Sequence, residues 1–334
     1  MKTALITGVT GQDGSYISQL LLNKGYQVYG TIRKESELSD WRLRVLGIEH
    51  RVKLFDVNLS NTDEIVGVIE ITRPDEVYNL AAHQPLHTGV RKKVLRTGEA
   101  RHLDHSLLTS DINGMAAVRI LSILKDKNPD AKCFQASSCQ IFGNSKSGPL
   151  NEETTLEPNS AYGISKAFAH WMTGNFRETF EMFACSGILF NHESPLRAPE
   201  FVTRRISRGV AQIKSGKTNE LRLGDLDARR DWGHAADYVD AMWRMLQASN
   251  PSDYIIATGE THSVRECCDI AFRSVDLDYR DFVSCDRSLT RTGDAPVMCG
   301  NPAKAWMQLG WKPMHSFEEM IREMVAADLD IESK

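Results

Sequence analysis

The chain has few long apolar runs and no strong excess of charge of either sign. None of its apolar runs approaches the ~20 residues that a membrane span needs, so the sequence predicts no membrane segment. The formal net charge of -4 gives no basic footprint for nucleic acid. With 41% hydrophobic and 25% charged residues over 334 positions, the composition is that of a folded globular protein with one large core or two joined ones.

Cysteines paired at metal-ligand spacing are also missing. The seven cysteines are scattered apart from the adjacent Cys267 and Cys268, so no metal site is predicted. The first residues, "MKTALITG", reach a glycine after a short apolar run, which indicates a buried strand rather than a signal peptide. Without an export signal, we expect reduced thiols and a cytoplasmic protein.

Short β-branched runs alternate with helical patterns over the first half of the chain. The segments "TALITG", "QVYGTIR", "EVYNLAA", "KCFQASS" and "ACSGILF" predict strands that are separated by helices. This order predicts an α/β fold, a Rossmann-type doubly wound parallel sheet covered on both faces. We expect residues 1–190, with returning segments from about 229–260, to form the dinucleotide-binding domain. Residues 191–334 are expected to form mainly a smaller C-terminal substrate-binding lobe.

The segment "TGVTGQDG" predicts a dinucleotide site. It places Gly8, Gly11 and Gly14 after the first predicted strand and at the start of a helix. A tight turn, close approach of backbone to a pyrophosphate and free N–H groups at a helix N-terminus suit this ligand. The intervening Gln12 and Asp13 are therefore candidate cofactor residues. A plain turn would carry the same glycines, but the βαβ context favours the cofactor.

The end of the second strand bears on which dinucleotide binds. An acidic residue there would bind the ribose 2′-hydroxyl and repel a 2′-phosphate. The chain has Arg33 and Lys34 instead, and such cations suit a phosphate, so NADP is favoured. The alternative is a solvated pair at a strand end, since Glu35 follows and weakens the positive charge.

The segment "SAYGISK" supplies a candidate acid-base pair. Tyr162 and Lys166 are four residues apart and share one face of a helix. Beside an ammonium and an oxidised nicotinamide, a tyrosine can take a proton from a sugar hydroxyl. Lys166 can also bind the nicotinamide ribose, and Ser138 can hydrogen-bond the same hydroxyl. The pair is common by chance, but with the glycine turn, "NLAA" and "ASS" it indicates hydride transfer at a sugar carbon.

Together these segments resemble the GDP-mannose 4,6-dehydratases, a family of extended short-chain dehydrogenases/reductases. The blocks "ALITGVTGQDGSY", "PDEVYNLAA", "GILFNHESPLR", "LRLGDLDARRDWGHAADYV" and "NPAKAWMQLGWKP" carry the resemblance over nearly the whole chain. It implies an enzyme that oxidises C4 of a GDP-hexose with NADP, eliminates water across C5–C6 and returns the hydride to C6. It also implies a homodimer or homotetramer.

The resemblance further implies which residues line the two binding sites. The additional residues implied to bind the cofactor are Asn58, Leu59, Leu80, Ala81, Ala82, His192 and Arg197. The residues implied to bind the nucleotide sugar are Asn191, Val202, Arg205, Arg230, Arg291 and Asp294. Arginine suits this role because a guanidinium can bind diphosphate oxygens in a bidentate manner, although a surface salt bridge is the alternative for each.

The family's usual Ser-Thr-Ser-Glu motif is replaced here by "SSCQ" at residues 137–140. Ser138 keeps the hydroxyl of the threonine. Gln140 cannot take the C5 proton or protonate the departing water, and losing such a group typically slows a step by ~10²–10⁴-fold. Cys139 is adjacent, but on a strand its side chain should point to the opposite face. The alternatives are rescue by another base and an engineered Glu-to-Gln change that traps substrate.

A second departure is a connection over residues 83–113 that is longer than is usual in the family. It leaves the carboxyl end of a strand, where open α/β sheets bind ligands, and it is rich in lysine and arginine. Its histidines are His83, His87, His102 and His105. This loop could cover a modified sugar or supply a replacement acid or base; the alternative is a solvated loop or an oligomer contact. A smaller departure is "RTGDA" at residues 291–295, where the family usually has Arg-Pro-x-Glu.

These observations predict a nucleotide-sugar-modifying enzyme, with two reactions open. One is the 4,6-dehydration of the family. The other is C4 oxidation or epimerisation that stops before dehydration because Gln140 replaces the usual glutamate. A third possibility is a catalytically silent sugar-nucleotide-binding protein. The intact Tyr162 and Lys166 oppose it, because a pure binder has no need of that pair.

Overall fold

Seven parallel strands form the central sheet. The computed structural model describes residues 1–33, 40–83, 100–143, 145, 148–289 and 297–333. The strands are β1 (Thr3–Thr7), β2 (Gln27–Ile32), β3 (Val52–Asp56), β4 (Glu76–Asn79), β5 (Lys132–Ser138), β6 (Ala184–Leu189), β7 (Asn191–Glu193), β8 (Leu221–Leu223), β9 (Arg229–Arg230), β10 (Trp232–His234), β11 (Tyr254–Ile256), β12 (His262–Ser263), β13 (Val283–Cys285) and β14 (Val297–Met298). The central sheet has the order β11-β6-β5-β4-β1-β2-β3, which confirms the predicted doubly wound α/β fold.

Helices cover both faces of this sheet. They are α1 (Gln12–Asn23), α2 (Trp41–Val45), α3 (Thr62–Thr72), α4 (Ala100–Ser110), α5 (Ala116–Lys127), α6 (Ala161–Phe180), α7 (Val202–Lys214), α8 (Ala235–Gln247), α9 (Val264–Arg273), α10 (Ala303–Leu309) and α11 (Phe317–Glu332). On one face Leu21 of α1 and Met242 of α8 share a hydrophobic core. On the other face Ile65 of α3 and Ile120 of α5 share a second core. Burial on both faces explains the apolar run of the central strand β1, TALIT.

A third hydrophobic core lies away from the sheet, among the later elements. Ile206 of α7, Phe272 of α9 and Met324 of α11 pack around Trp232 of β10. Between these segments the chain returns to the sheet, because α8 packs in the first core and β11 pairs with β6. The later elements therefore form a layer that faces the carboxyl ends of the strands.

The connection expected as a loop over residues 83–113 is partly helical. The helix α4 continues through a π-helical turn, Asp111–Met115, into α5, so the expectation of an entirely loop-like connection was wrong. Within the described residues, the helical segment His105–Lys127 is long and apolar enough to cross a membrane by length and composition alone. Several of its apolar side chains, such as Ile112 and Ile120, are buried in the second core, and a core helix passes the same test.

Candidate active site

A cavity of about 600 Å³ opens at the carboxyl ends of the central strands, facing the start of α7. Open α/β sheets bind their ligands at this edge. The predicted residues that line it are Asp13, Leu80, Ala82, Ser138, Gln140, Tyr162, Lys166, Asn191, His192, Arg197, Val202, Arg205 and Arg230. Lining residues that sequence reasoning did not assign include Glu193, Glu200, Phe201 and Asp225. Residues from distant parts of the chain thus meet in one cavity.

The glycine turn after β1 is packed closely against the backbone of the protein. Gly8 has φ +69°, in the left-handed region, and a Cβ there would lie 2.9 Å from the Cα of Ala81. A Cβ on Gly14 would overlap the carbonyl oxygen of Gly8. Gly11 is the N-cap of α1, and no side chain of the described residues caps that helix, so its first N–H groups can face an anion. The turn therefore fits a pyrophosphate.

Eight of the predicted cofactor residues do not line the cavity: Gly8, Gly11, Gln12, Gly14, Arg33, Asn58, Leu59 and Ala81. The buried Gln12 side chain donates to the carbonyl oxygen of His192 at 3.1 Å and accepts the hydroxyl of Ser194 at 2.8 Å. It therefore ties α1 to the segment around β7. Asn58 and Leu59 follow β3, and Leu59 is buried in the second core rather than exposed to the cavity.

The predicted cations at the edges of the site are only partly described. Arg33 is exposed at the end of β2 and does not line the cavity. Lys34, Arg291 and Asp294 lie outside the described residues. Their predicted roles in phosphate and substrate binding stay predictions.

A buried ion pair joins the glycine turn to β7. The Nε2 atom of His192 lies 2.9 Å from Oδ2 of Asp13, and its Nδ1 atom lies 2.6 Å from the carbonyl oxygen of Phe190. Burial favours a neutral imidazole, but Asp13 overcomes it and raises the pKa of His192. Burial likewise works against the Asp13 carboxylate, yet His192 and Arg197 lower its pKa. Each group therefore favours the charged form of the other, and both line the cavity.

Lys166 lies fully buried behind Tyr162. Its Nζ atom donates to the carbonyl oxygen of Ala136 at 2.8 Å and lies 5.8 Å from the centre of the Tyr162 ring. Burial lowers the pKa of Lys166 to about 8, although the Asp13 carboxylate opposes this shift. The ammonium is thus held close to its titration midpoint at mildly alkaline pH.

The phenol of Tyr162 is weakly acidic in the protein alone, whereas the prediction concerned a phenol beside an oxidised nicotinamide. Burial raises the pKa of Tyr162 to about 12, although a hydrogen bond with Ser138 and the charge of Arg197 oppose this shift. The Lys166 ammonium does not reverse the effect of burial. A further positive charge beside the phenol is therefore required before Tyr162 can act as a base near neutral pH.

Gln140 enters the cavity because the chain turns directly after β5. Ser138 ends the strand, and its Oγ atom accepts the backbone N–H of Gln140 at 3.2 Å. This contact caps a 3₁₀ turn, Cys139–Phe142. The Gln140 side chain lines the cavity beside Ser138 and Tyr162, and it makes no hydrogen bond with the described part of the chain. Its amide is therefore available to a ligand.

The orientation expected for Cys139 was wrong. The expectation assumed a continuing strand, whereas the strand ends at Ser138 and Cys139 begins the 3₁₀ turn. Its Sγ atom lies 3.8 Å from Oδ1 of Asn191, and Cys139 lines the same cavity as Gln140. Burial raises the pKa of the Cys139 thiol to about 12, although Arg230 opposes this shift. The thiol is therefore neutral and does not supply the missing base.

Three cations line the part of the cavity nearest α7. Arg205 is on α7, and its Nη2 atom donates to the carbonyl oxygen of Arg222 at 2.8 Å. Arg230 is on β9, and its Nη1 atom donates to the carbonyl oxygen of Arg229 at 2.7 Å. Arg197 completes the group. Their positive charge suits an anionic ligand such as a diphosphate.

A buried carboxylate, which sequence reasoning missed, holds Arg197 in place. Glu193 lies 3.0 Å from Nε of Arg197 and accepts the hydroxyl of Thr203 at 2.5 Å. The Arg197 guanidinium carbon is 3.5 Å from the centre of the Phe201 ring. The spacing of Glu193 and Arg197, four residues apart with opposite charge, was a usable signal in "NHESPLR". The contact between Glu193 and Thr203 depends on the fold, and the sequence contains no pattern that predicts it.

Glu200 is a second carboxylate that sequence reasoning missed. It lines the cavity directly before α7. It makes no hydrogen bond or ion pair with the described residues. It is therefore a titratable group that can reach a ligand in the cavity.

The histidines of the long connection are only partly described. The backbone N–H of His83 donates to Oδ1 of Asn113 at 2.7 Å, and its ring stacks on that of His105 with centroids 5.7 Å apart. Burial lowers the pKa of His83, with His105 and Arg33 adding to the shift. Neither histidine lines the cavity. His87 and the side chain of His102 lie outside the described residues. Within the described residues, no three metal-ligating side chains are grouped to hold a metal ion.

Comparison with known proteins covers nearly the whole chain. A family model described as GDP-mannose 4,6 dehydratase matches residues 5–324. GDP-mannose 4,6 dehydratase 1 of Arabidopsis thaliana is 42% identical over 340 residues, which cover 99% of this chain and 90% of that protein. The Homo sapiens GDP-mannose 4,6 dehydratase is 39% identical over 355 residues, which cover 99% and 92%.

Solved structures share the fold at lower identity. A dTDP-glucose 4,6-dehydratase from Bacillus anthracis, in complex with NAD, superposes with a TM-score of 0.83 at 21% identity and covers 100% of this chain and 98% of that one. RMD from Pseudomonas aeruginosa, complexed with NADPH, has a TM-score of 0.78 at 20% identity, with 99% and 100% covered. The full-length sequence matches carry the assignment: the chain belongs to the GDP-mannose 4,6-dehydratase family, nucleotide-sugar-modifying enzymes of the extended short-chain dehydrogenase/reductase type.

Proposed function

We propose that this protein oxidises C4 of a GDP-hexose with NADP and that Gln140 leaves the dehydration step without its usual acid and base. The observation that carries the proposal is the convergence of Ser138, Tyr162 and Lys166 with Gln140 in one cavity. The first three are the groups that a C4 oxidation needs. The fourth is an amide where elimination needs a titratable group.

In the proposed oxidation, Ser138 orients the C4 hydroxyl and Tyr162 takes its proton. A bound oxidised nicotinamide supplies the hydride acceptor and a positive charge beside the phenol. That charge acts against burial, which otherwise holds the pKa of Tyr162 at about 12. Lys166 adds a second positive charge when it is protonated and, from its position behind Tyr162, can bind a ribose hydroxyl. Oxidation then leaves a ketone at C4.

NADP, rather than NAD, is the proposed cofactor. The glycine turn at the start of α1, which no side chain of the described residues caps, supports a dinucleotide, and the names of related structures carry both NAD and NADPH. Arg33 directly follows β2, and Lys34 is next in sequence. They support NADP over NAD because the residue directly after β2 is not an acidic one that would repel the 2′-phosphate. The proposed remaining contacts are those of Asp13, His192 and Arg197 with the phosphates and nicotinamide ribose.

A GDP-sugar is the proposed substrate. The names of the related proteins, such as the GDP-mannose 4,6 dehydratase of Homo sapiens, support this choice. Arg205 and Arg230 supply donors for diphosphate oxygens, and Asn191 and Val202 line the same region. Arg291 and Asp294 are proposed to complete the nucleotide side of the site.

Dehydration by a different carboxylate is the second candidate function. Glu200 supports it, because this carboxylate lines the cavity and makes no hydrogen bond or ion pair with the described residues. In that case the protein would be a 4,6-dehydratase with a relocated acid and base. A catalytically silent binding protein is less well supported, since Ser138, Tyr162 and Lys166 are all in place.

A second copy of the chain is the proposed partner, and the cytosol the proposed compartment. Leu107 on α4 and Ile164 and Trp171 on α6 are large apolar side chains that are 61%, 55% and 58% exposed. Ile164 and Trp171 are seven residues apart and share one face of the helix, which suits pairing of two copies. All seven cysteines are free, which supports a reducing compartment.

Two lobes are the proposed domain organisation, with residues 1–190 and the returning segments near 229–260 holding the cofactor. The hydrophobic core around Trp232, separate from the two cores that flank the sheet, supports a distinct lobe within residues 191–334.

The experiment that tests the function is the reduction of bound NADP on addition of GDP-mannose and related GDP-hexoses. We expect a nicotinamide absorbance change in the unmodified protein and none with Tyr162→Phe, which keeps the ring but not the hydroxyl. The Tyr162→Phe variant should still bind GDP-mannose by calorimetry. A dehydratase or an epimerase returns the hydride to the sugar and leaves no net reduced cofactor, so the sugar nucleotide is also recovered and analysed. Binding with neither cofactor reduction nor a changed sugar, for every GDP-hexose, would leave only the silent binder.

A further inference from the structure

A chain of buried side-chain hydrogen bonds crosses three neighbouring strands beneath the cavity. Thr7 on β1 donates to Oδ1 of Asn79 on β4 at 2.6 Å, and Nδ2 of Asn79 donates to Oε1 of Gln135 on β5 at 2.7 Å. Nε2 of Gln135 then donates to the carbonyl oxygen of Ala136 at 3.0 Å. Each of the three polar side chains is only 2% exposed. In the register of the sheet, Thr7 is opposite Asn79, which is opposite Gln135.

The direction of every hydrogen bond in this chain is fixed at its first member. The backbone N–H groups of Leu80 and Ala81 both donate to Oγ1 of Thr7, each at 3.1 Å. Because a backbone N–H can only donate, the Thr7 hydroxyl directs its own proton to Asn79. Each amide downstream then has a single orientation that satisfies its neighbours. The backbone beside the cofactor turn therefore dictates how the Gln135 amide faces.

The last acceptor in the chain is the carbonyl that holds the catalytic lysine. Nζ of Lys166 donates to the Ala136 oxygen at 2.8 Å, its only hydrogen bond with the described residues. A carbonyl oxygen has two lone pairs, and Gln135 occupies one of them. The ammonium is left with the other lone pair, and its Nζ atom lies 5.8 Å from the centre of the Tyr162 ring. Gln135 itself does not line the cavity.

We propose that Gln135 is a positioning residue: it holds the Ala136 carbonyl and directs the Lys166 ammonium toward Tyr162, through an orientation set by Thr7 and Asn79. The expected effect of Gln135 on the reaction rate rests on the proposed C4 oxidation. The expected effect of Gln135 on the position of the Lys166 ammonium does not. An apolar residue at 135 would leave the Asn79 amide unpaired and would free one lone pair of the Ala136 oxygen. The ammonium would then no longer have a single location.

The same contact influences how tightly Lys166 holds its proton. The N–H of Gln135 places partial positive charge next to the oxygen that Lys166 binds, which works against the charged lysine. The described titratable groups that interact with this ammonium or lie closest to it are Asp13 on α1 and Tyr162 on its own helix. Removing the Gln135 donor should therefore raise the pKa of Lys166.

The test compares four variants with the unmodified protein. Gln135→Met removes the donor at nearly constant side-chain length, and Thr7→Val removes the hydroxyl that sets the direction of the chain. Thr7→Ser keeps that hydroxyl and should behave as the unmodified protein does. Thr173→Val is the matched control. Thr173 is equally buried, and its hydroxyl donates to the carbonyl of Ala169 on α6, which takes no part in the hydrogen bonds from Thr7 to Ala136.

The first readout is the ammonium signal of Lys166 in cofactor-free protein labelled with ¹⁵N-lysine, assigned by its loss in Lys166→Met. In Gln135→Met and Thr7→Val we expect a displaced signal and an upward shift of its pH midpoint by roughly one unit. The second readout is steady-state kinetics, where we expect roughly tenfold lower kcat with little change in KM, the size of one lost hydrogen bond. The double variant, Thr7→Val with Gln135→Met, should have a kcat no lower than that of either single variant, because each substitution interrupts the same series of hydrogen bonds.

A displaced signal and shifted midpoint in Gln135→Met and Thr7→Val, with neither change in Thr7→Ser and Thr173→Val, would support the proposal. A merely structural role would lower the thermal midpoint of unfolding and leave the Lys166 signal unchanged, which would overturn it. If the unmodified protein does not oxidise any GDP-hexose, the C4 proposal fails. The NMR readout still decides the role of Gln135.

Discussion

Replacing Gln140 by glutamate should restore the carboxylate that elimination of water across C5–C6 needs. Amide and carboxylate have the same shape, and the cap on the 3₁₀ turn uses the hydroxyl of Ser138 and the backbone of residue 140, not its side chain. The fold should therefore be unchanged. Lys166 and Arg197 line the same cavity, and these cations favour an ionised carboxylate that can accept a proton.

The expected gain in the rate of dehydration is ~10²–10⁴-fold, the usual contribution of a positioned acid or base. The assay is formation of the 4-keto-6-deoxy sugar nucleotide from GDP-mannose, separated by chromatography. Gln140→Leu serves as the matched control, because it removes the amide and adds no titratable group. It should not gain dehydration.

Rapid dehydration by the unmodified protein, with no gain in Gln140→Glu, would refute the reasoning about Gln140. Glu200→Gln would then test the substitute, since Glu200 lines the cavity and makes no hydrogen bond or ion pair with the described residues. Loss of dehydration in that variant would assign the role to Glu200. If dehydration survived, the histidines of the 83–113 connection would be tested next by His83→Ala and His105→Ala.

Three further predictions concern the cofactor, the lysine and the oligomer. Arg33→Asp should lower the affinity for NADP relative to NAD by at least about tenfold in a fluorescence titration; an unchanged ratio would contradict the role of Arg33. Unfolded lysine keeps its proton up to its ordinary pKa of 10.5, whereas Lys166 releases it at about 8, so this contribution should make the cofactor-free protein more stable as pH rises between these values. Urea unfolding of Lys166→Met should lack that rise, and equal slopes would contradict it. Trp171→Glu should halve the mass of the oligomer in analytical ultracentrifugation, whereas an unchanged mass would place the interface elsewhere.

The strands and helices of the first half were predictable because local pattern and tertiary burial agree there. The run "TALITG" is apolar since β1 is covered on both faces, and "SAYGISK" begins a helix that Ser160 caps. The helix Ala100–Ser110 was missed because "ARHLDHSLLTS" is mostly polar. The local sequence also does not indicate that this helix continues into the buried α5.

Residues of the candidate site were predictable in identity but not in environment. The motif identified Tyr162, yet the direction of its pKa shift depends on burial by segments that are distant in sequence. Cys139 was assigned to the wrong face because the alternation of a strand was extended past Ser138, where the chain instead enters a 3₁₀ turn. Glu200 carried no motif at all, and only the folded chain brings it to the cavity.

Incubation of the unmodified protein with NADP and GDP-mannose in deuterated water, followed by NMR of the sugar nucleotide, tests the central claim most directly. A C4 oxidation that stops before elimination predicts reduced cofactor, a C4 ketone that retains its C6 hydroxyl, and no deuterium at C5 from an elimination step. Accumulation of a 4-keto-6-deoxy sugar with deuterium at C5 would contradict the claim, because that product requires the proton transfer that Gln140 cannot perform.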